Sequence, residues 1–131
     1  MVLDTSALLA ILLDEPEAPR LVAAIVAANR CVVGAPSVVE AAAILLARYG
    51  AAGEVALDAL LQRLAITVVP MTPEAAVAAR SAYQRYGKGV GRPGVLNYGD
   101  CLAYGVAQAA GDALLFKGDD FPRTDIRVAA Y

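Results

Sequence analysis

A chain of 131 residues, 59% apolar and only 18% charged, is too hydrophobic to be disordered, and its length fits a single domain, residues 1–131, with a real core. A formal charge of −2 does not advertise nucleic-acid binding, and Cys31 and Cys101 lie too far apart to form a zinc knuckle or redox motif, so they read as buried free thiols. The absence of histidine excludes Ser-His-Asp triads, Cys-His pairs, His-ligated zinc and haem, leaving carboxylates, hydroxyls, Lys, Arg or a hard metal for any catalysis.

In chain order, MVLDT is a short apolar strand running into a helix-starting cluster, and helical pattern continues from Ser6 to Asn29 with a break at DEPEAP. CVVGAP from Cys31 is the next β-rich segment, followed by a helix from Pro36 to about Tyr49 that ends at Gly50. GEVALDALLQRL predicts another helix, and AITVVP a strand closed by proline. Thr72 as N-cap, Pro73 and Glu74 open an amphipathic helix that runs to Gly87. KGVGRPGVLN is then the one long loop, expected to be flexible and to face substrate. Beyond it, Asn97 and Asp100 start a helix with Leu102, Val106 and Ala109 at helical spacing and Gly111 as its stop. The strand ALLFK, the turn GDDFPRTD and a last strand IRVAAY complete the chain.

Short strands alternating with helices imply an α/β fold: a three-layer sandwich whose mostly parallel central sheet has about four to five short strands flanked by helices. The longest apolar runs, LVAAIVAA from Leu21 and AAAILLA from Ala41, fall well short of the ~18 residues of a membrane span. With Asp4 interrupting the N-terminus and no basic residue before it, no signal peptide or membrane association is expected, and the location expected is the cytoplasm.

Function in open α/β sheets gathers at the carboxyl ends of the strands, and acids fall there. Asp4 ends the first strand, Asp119 and Asp120 follow ALLFK, and Asp100 begins the helix that feeds that strand. Glu40 sits on an apolar helix with no Lys or Arg at the following i+3 or i+4 position. Each has an ordinary explanation as well: Asp4 as a cap, Asp100 as a first-turn acid favoured by the helix dipole, Glu40 as partner of Ser37 in the capping box SVVE, Asp119 as a turn residue. Together they also make a carboxylate site, in which like charges raise one another's pKa unless a cation intervenes. An all-oxygen donor set without histidine points to Mg²⁺ or Mn²⁺, ions suited to phosphodiester hydrolysis.

Four segments, VLDTSALLAILLDEPEA, SVVEAAAIL, YGDCLAYGVA and LLFKGDDFPRTDI, resemble in order and spacing the PIN-domain proteins, specifically VapC-type toxin ribonucleases of bacterial toxin–antitoxin pairs. The resemblance implies that Asp4, Glu40, Asp100 and Asp119 are the catalytic acids, with Asp4, Asp100 and Asp119 as metal ligands and Ser6 as an accompanying hydroxyl. It further implies metal-dependent endonucleolytic cleavage of RNA, homodimerisation, and inhibition by a cognate VapB antitoxin. Where many members have Thr-x-Asp, this chain has KGDD, so Lys117 replaces the hydroxyl and Asp120 competes with Asp119; spacing favours Asp119.

In this reading the bound ions hold a water in line with the phosphodiester while Glu40 orients or deprotonates it. Residues 80 to 131 carry seven basic against five acidic residues, and Lys88, Arg92, Lys117 and Arg123 are the cations expected at the rim for a polyanion. GVGRPG from Gly89 matches GxGxxG by letter but follows a helix and carries proline, so it is not read as a dinucleotide site. A haloacid-dehalogenase-like phosphatase would need an acid where Ser6 stands, and a phosphate-receiver domain would need an aspartate in AITVVPMT. The alternatives left open are a catalytically silent PIN-fold module that binds RNA or protein, and a small-molecule phosphohydrolase.

Overall fold

The computed structural model describes residues 1–131. β1 (Val2–Leu3) leads into α1 (Thr5–Leu12) and α2 (Ala18–Ala27), and β2 (Val32–Gly34) into α3 (Ala35–Tyr49) and α4 (Ala51–Arg63). β3 (Thr67–Val69) is followed by α5 (Pro73–Tyr86), and α6 (Tyr98–Ala110) by β4 (Leu114–Leu115) and a 3-10 turn at Phe121–Arg123. Local chemistry sets these boundaries. Thr72 caps α5 by accepting from the Ala75 N–H at 3.2 Å, with Pro73 opening the helix, and Gly111 ends α6 in the left-handed conformation at φ 64.

The four strands form one parallel sheet in the order β3-β2-β1-β4. Val2 pairs with Val32 and Leu114, and Leu3 with Val33 and Leu115, so the two-residue period sends each rank to an opposite face. Val2, Val32 and Leu114 pack with α5 and α6 through Ala75, Ala82, Tyr104 and Val106. Leu3, Val33 and Leu115 pack with α1 to α4 through Leu8, Leu21, Leu45 and Leu57. This is the predicted three-layer sandwich. A sheet covered on both faces explains why the chain needs so apolar a composition.

On one side of the sheet, α5 and α6 approach closely at Gly105, where a Cβ would lie 2.8 Å from that of Ala79 and overlap the Ala75 carbonyl. Cys31 and Cys101 are both free and buried, as expected. No helix is long and apolar enough to cross a membrane.

Four expectations need correction. IRVAAY is not a strand: beyond β4 only Val128 bridges to Leu114, because β4 itself is two residues long and offers little ladder. SVVE is not a capping box, since Pro36 in the first turn puts the helix start at Ala35 behind Gly34, leaving Ser37 and Glu40 inside α3. The apolar face of α6 includes Val106 but not Ala109, which is exposed. The glycine-rich loop is tied down by backbone bonds: Lys88 N–H to Leu96 O at 2.8 Å, Arg92 N–H to Arg85 O at 2.9 Å, and Val95 N–H to Tyr86 O at 2.8 Å.

Candidate active site

Strand order reverses beside β1: the chain moves from β1 outward to β2 and β3, then returns through α6 to place β4 on the other side. In an open α/β sheet such a switch point opens a crevice at the strands' carboxyl ends. Asp4 stands there. Its N–H continues the ladder to Leu115 O at 2.9 Å, and its side chain caps α1. Oδ2 accepts from the Ser6 N–H at 2.9 Å and from Ser6 Oγ at 2.5 Å, while Oδ1 accepts no hydrogen bond. Ser6 Oγ in turn accepts the Lys117 backbone N–H at 3.0 Å, stitching the end of β1 to the segment after β4.

Asp100 enters from the start of α6, where the capping box with Asn97 forms as the residue types suggest: Asp100 N–H donates to Asn97 Oδ1 at 2.8 Å and Asn97 N–H to Asp100 Oδ2 at 2.7 Å. Glu40 enters from α3, its Oε2 accepting the Thr5 hydroxyl at 2.6 Å. Its carboxylate lies against the α-carbon of Gly99, where a Cβ would overlap Oε1 and stand 2.8 Å from Oε2. Three elements distant in sequence thus converge on one end of the sheet.

These acids feel one another. Burial, with Asp4 only 3% exposed, pushes its carboxyl up to about 6; the Ser6 hydrogen bonds oppose the rise, and the charges on Asp100 and Glu40 add to it. Burial also raises Asp100, opposed by the Asn97 N–H, with Asp120 and Glu40 pushing it up and Lys88 pulling it down. Asp120 pairs with Lys88 Nζ at 3.7 Å, whereas Asp119 is exposed and its side chain makes no ion pair or hydrogen bond. No three of the carboxylates stand close enough to share one ion in this arrangement. The donor chemistry nevertheless fits a hard divalent cation: all ligand atoms are carboxylate oxygens, Asp4 Oδ1 lacks a donor, and the groups repel.

The profile of the PIN domain matches residues 1–127. The chain is 48% identical over 130 residues to VapC ribonuclease Mb0640 of Mycobacterium bovis, covering 99% of this chain and 98% of that one. It is also 45% identical over 126 residues, 96% and 97% of the two chains, to a ribonuclease VapC of Mycolicibacterium smegmatis. The chain belongs to the PIN-domain family, among the VapC ribonucleases.

Solved PIN domains agree with the fold described above. VapC20 of Mycobacterium tuberculosis, a sarcin-ricin loop cleaving toxin, superposes with a TM-score of 0.76 at 18% identity over 95% of both chains. VapBC2 from Rickettsia felis, bound to a DNA fragment from their promoter, superposes at 0.73 with 15% identity over 97% of this chain and 94% of that one.

Within this PIN domain the expected basic rim divides. Arg92 and Arg123 are exposed and form no ion pair, and Lys88 reaches Asp120 beside the acids. Lys117 departs from expectation, because its Nζ is held by Glu15 at 2.5 Å and Glu17 at 3.3 Å, acids of the break between α1 and α2. Its backbone N–H, through Ser6, is what reaches the site. Two residues escaped the sequence reading: Thr5, a buried hydroxyl inside DTS, and Gly99, whose only signal is its place immediately before Asp100.

Proposed function

We propose that this chain is the toxin of a VapBC-type pair, an endoribonuclease that hydrolyses RNA phosphodiester bonds at a Mg²⁺ or Mn²⁺ site. The observation that carries the reading is Asp4, a buried carboxylate at the switch point whose pKa is raised further by the charges of Asp100 and Glu40. Asp4 and Asp100 would hold the ion together with an acid of the GDD turn; the field of Asp120 at Asp100 supports Asp120 over the Asp119 favoured by spacing. When bound, the cation supplies Lewis-acid stabilisation of charge on the phosphoryl group and leaving oxygen.

The chain's own residues do the rest. Glu40 orients the water and takes one of its protons as the water oxygen bonds to phosphorus and the P–O3′ bond breaks. Lys88, Arg92 and Arg123 attract and align the phosphate backbone. The capping N–H of Asn97 and the Ser6 hydroxyl favour the ionised forms of Asp100 and Asp4 against the burial that raises both.

A VapB-type antitoxin is the partner this reading implies, and a second copy of the chain is the other. An apolar groove of about 580 Å³ between α5 and α6, lined by Met71, Ala76, Ala79, Tyr83, Tyr98 and Leu102, is a surface open to either partner.

The test is incubation of antitoxin-free protein with a mixed pool of structured cellular RNAs in Mg²⁺, in Mn²⁺ and in EDTA, beside Asp100→Asn. Discrete metal-dependent cuts absent from the variant are expected, and mapping their ends identifies the RNA. No cutting by folded protein in either metal would favour a silent RNA- or protein-binding module, or a small-molecule phosphohydrolase.

A further inference from the structure

Thr5 is the first residue of α1 and is buried, yet its hydroxyl is not used within its own helix. A threonine deeper in a helix can turn its Oγ back to the carbonyl one turn earlier; at the first position the preceding residues run in β1 and offer no such helical turn. The hydroxyl therefore reaches across to α3, where it lies 2.6 Å from Glu40 Oε2 and 3.3 Å from Ser37 O. It has one proton to give, and the shorter, charge-assisted bond to the carboxylate takes it.

Glu40 has three rotatable side-chain bonds and sits on a half-buried face of α3. Two contacts remove that freedom. Thr5 holds Oε2 from one side, and the bare α-carbon of Gly99 accepts the carboxylate from the other, with Oε1 nearest to it. Gly99 is adjacent to Asp100, so the unbonded oxygen is presented at the start of α6 beside the other acids.

We propose that Thr5 is the positioning residue of Glu40: its hydroxyl engages Oε2 so that Oε1, seated over Gly99, is the oxygen that meets the attacking water. This rests on the ribonuclease reading above. Ser6 and Thr5 then have separate tasks, the first serving Asp4 and the second Glu40, although they are neighbours in sequence.

The test compares Thr5→Val, which keeps the shape and removes the hydroxyl, with Thr5→Ser, which restores it, and Gly99→Ala, which displaces the carboxylate without touching Thr5. The readouts are kcat and KM on the RNA fragment that the wild type cuts, Mn²⁺ affinity by calorimetry, and the ¹³C carboxylate resonance of Glu40, assigned with Glu40→Gln. Thr5→Val and Gly99→Ala are expected to lose kcat by roughly 30-fold or more, as misplacement by about 1 Å can do, with KM and Mn²⁺ affinity within about threefold of wild type. Thr5→Ser is expected to recover most of kcat and to return the resonance moved by Thr5→Val.

Wild-type kcat in both Thr5→Val and Gly99→Ala overturns the proposal, as does a folded Thr5→Ser no better than Thr5→Val. If Thr5→Val does not fold, Gly99→Ala and Thr5→Ser decide. An unmoved Glu40 resonance in the folded hydroxyl-free variant overturns the positioning whether or not RNA is cut. Failure of the wild type to cut RNA, with the resonance still responding, sinks the ribonuclease reading and leaves the hydrogen-bonded clamp on Glu40 standing.

Discussion

Replacing Asp4 by asparagine should make the metal-free protein more stable at neutral pH, although it removes a residue central to the site. A rise from the ordinary 3.8 to about 6 amounts to about 3 kcal/mol against folding of the ionised protein, at about 1.36 kcal/mol per pH unit. The sign follows from proton binding. Between these two values the folded state holds the proton more tightly than the unfolded state, so stability falls as pH rises through the window, and the full cost is present above about 6. Asparagine keeps what Asp4 provides structurally, since its amide oxygen can accept from the Ser6 N–H and Oγ and it is a good N-cap. It cannot ionise, and its N–H₂ can donate to the neighbouring acids.

The assay is urea denaturation of both proteins in EDTA near pH 4.5 and near pH 7.5. Asp4→Asn should gain over wild type by about 2 kcal/mol more at the higher pH than at the lower, because most of the ionisation cost develops between them. Added Mg²⁺ should narrow the gap at the higher pH by stabilising the wild type through binding to its folded state. A variant no more stable than wild type near neutrality, or one whose gain is equal at both pH values, would refute the account of Asp4 as a strained buried charge.

Asp120→Asn should lower RNA cleavage by about 100-fold or more while Asp119→Asn stays within a few-fold of wild type; the opposite order would return the ligand role to Asp119. Arg92→Ala and Arg123→Ala should each weaken RNA binding and reduce the magnitude of its salt slope by roughly one, measured by fluorescence anisotropy across salt, whereas Lys117→Ala should leave the slope unchanged because its charge faces Glu15 and Glu17. Gly105→Ala should destabilise the fold by about 1–3 kcal/mol in urea titrations by forcing α5 and α6 apart, and an unchanged midpoint would mean the helices slide at no cost.

Asp4 and Asp100 are readable in the sequence because their positions are local facts: one ends an apolar run, the other stands three residues after a capping Asn. That both roles of Asp100 coexist is also intelligible, since a capping N–H bond and a nearby helix start favour the ionised form a cation needs. Glu40 misleads because SxxE is a local pattern, and a proline one residue before Ser37 overrides it by moving the helix start upstream. IRVAAY misleads for the converse reason: its β-branched residues satisfy strand propensity, but the neighbour that would pair with it is only two residues long. The fate of Lys117 depends on the fold bringing Glu15 across to it, 102 residues away.

What no local pattern reveals is the strand order. Thr5 and Glu40 are 35 residues apart, and Ser6 and Lys117 are 111 apart. These pairs meet only because β1 lies between β2 and β4 with all three strands parallel, which gathers their carboxyl ends at one edge of the sheet. Had β4 been placed beyond β3 instead, the same sequence pattern would leave Asp4 next to Glu40 but far from the GDD turn. The placement of β4 beside β1 is therefore the step that turns separately capped helix ends into one acidic site.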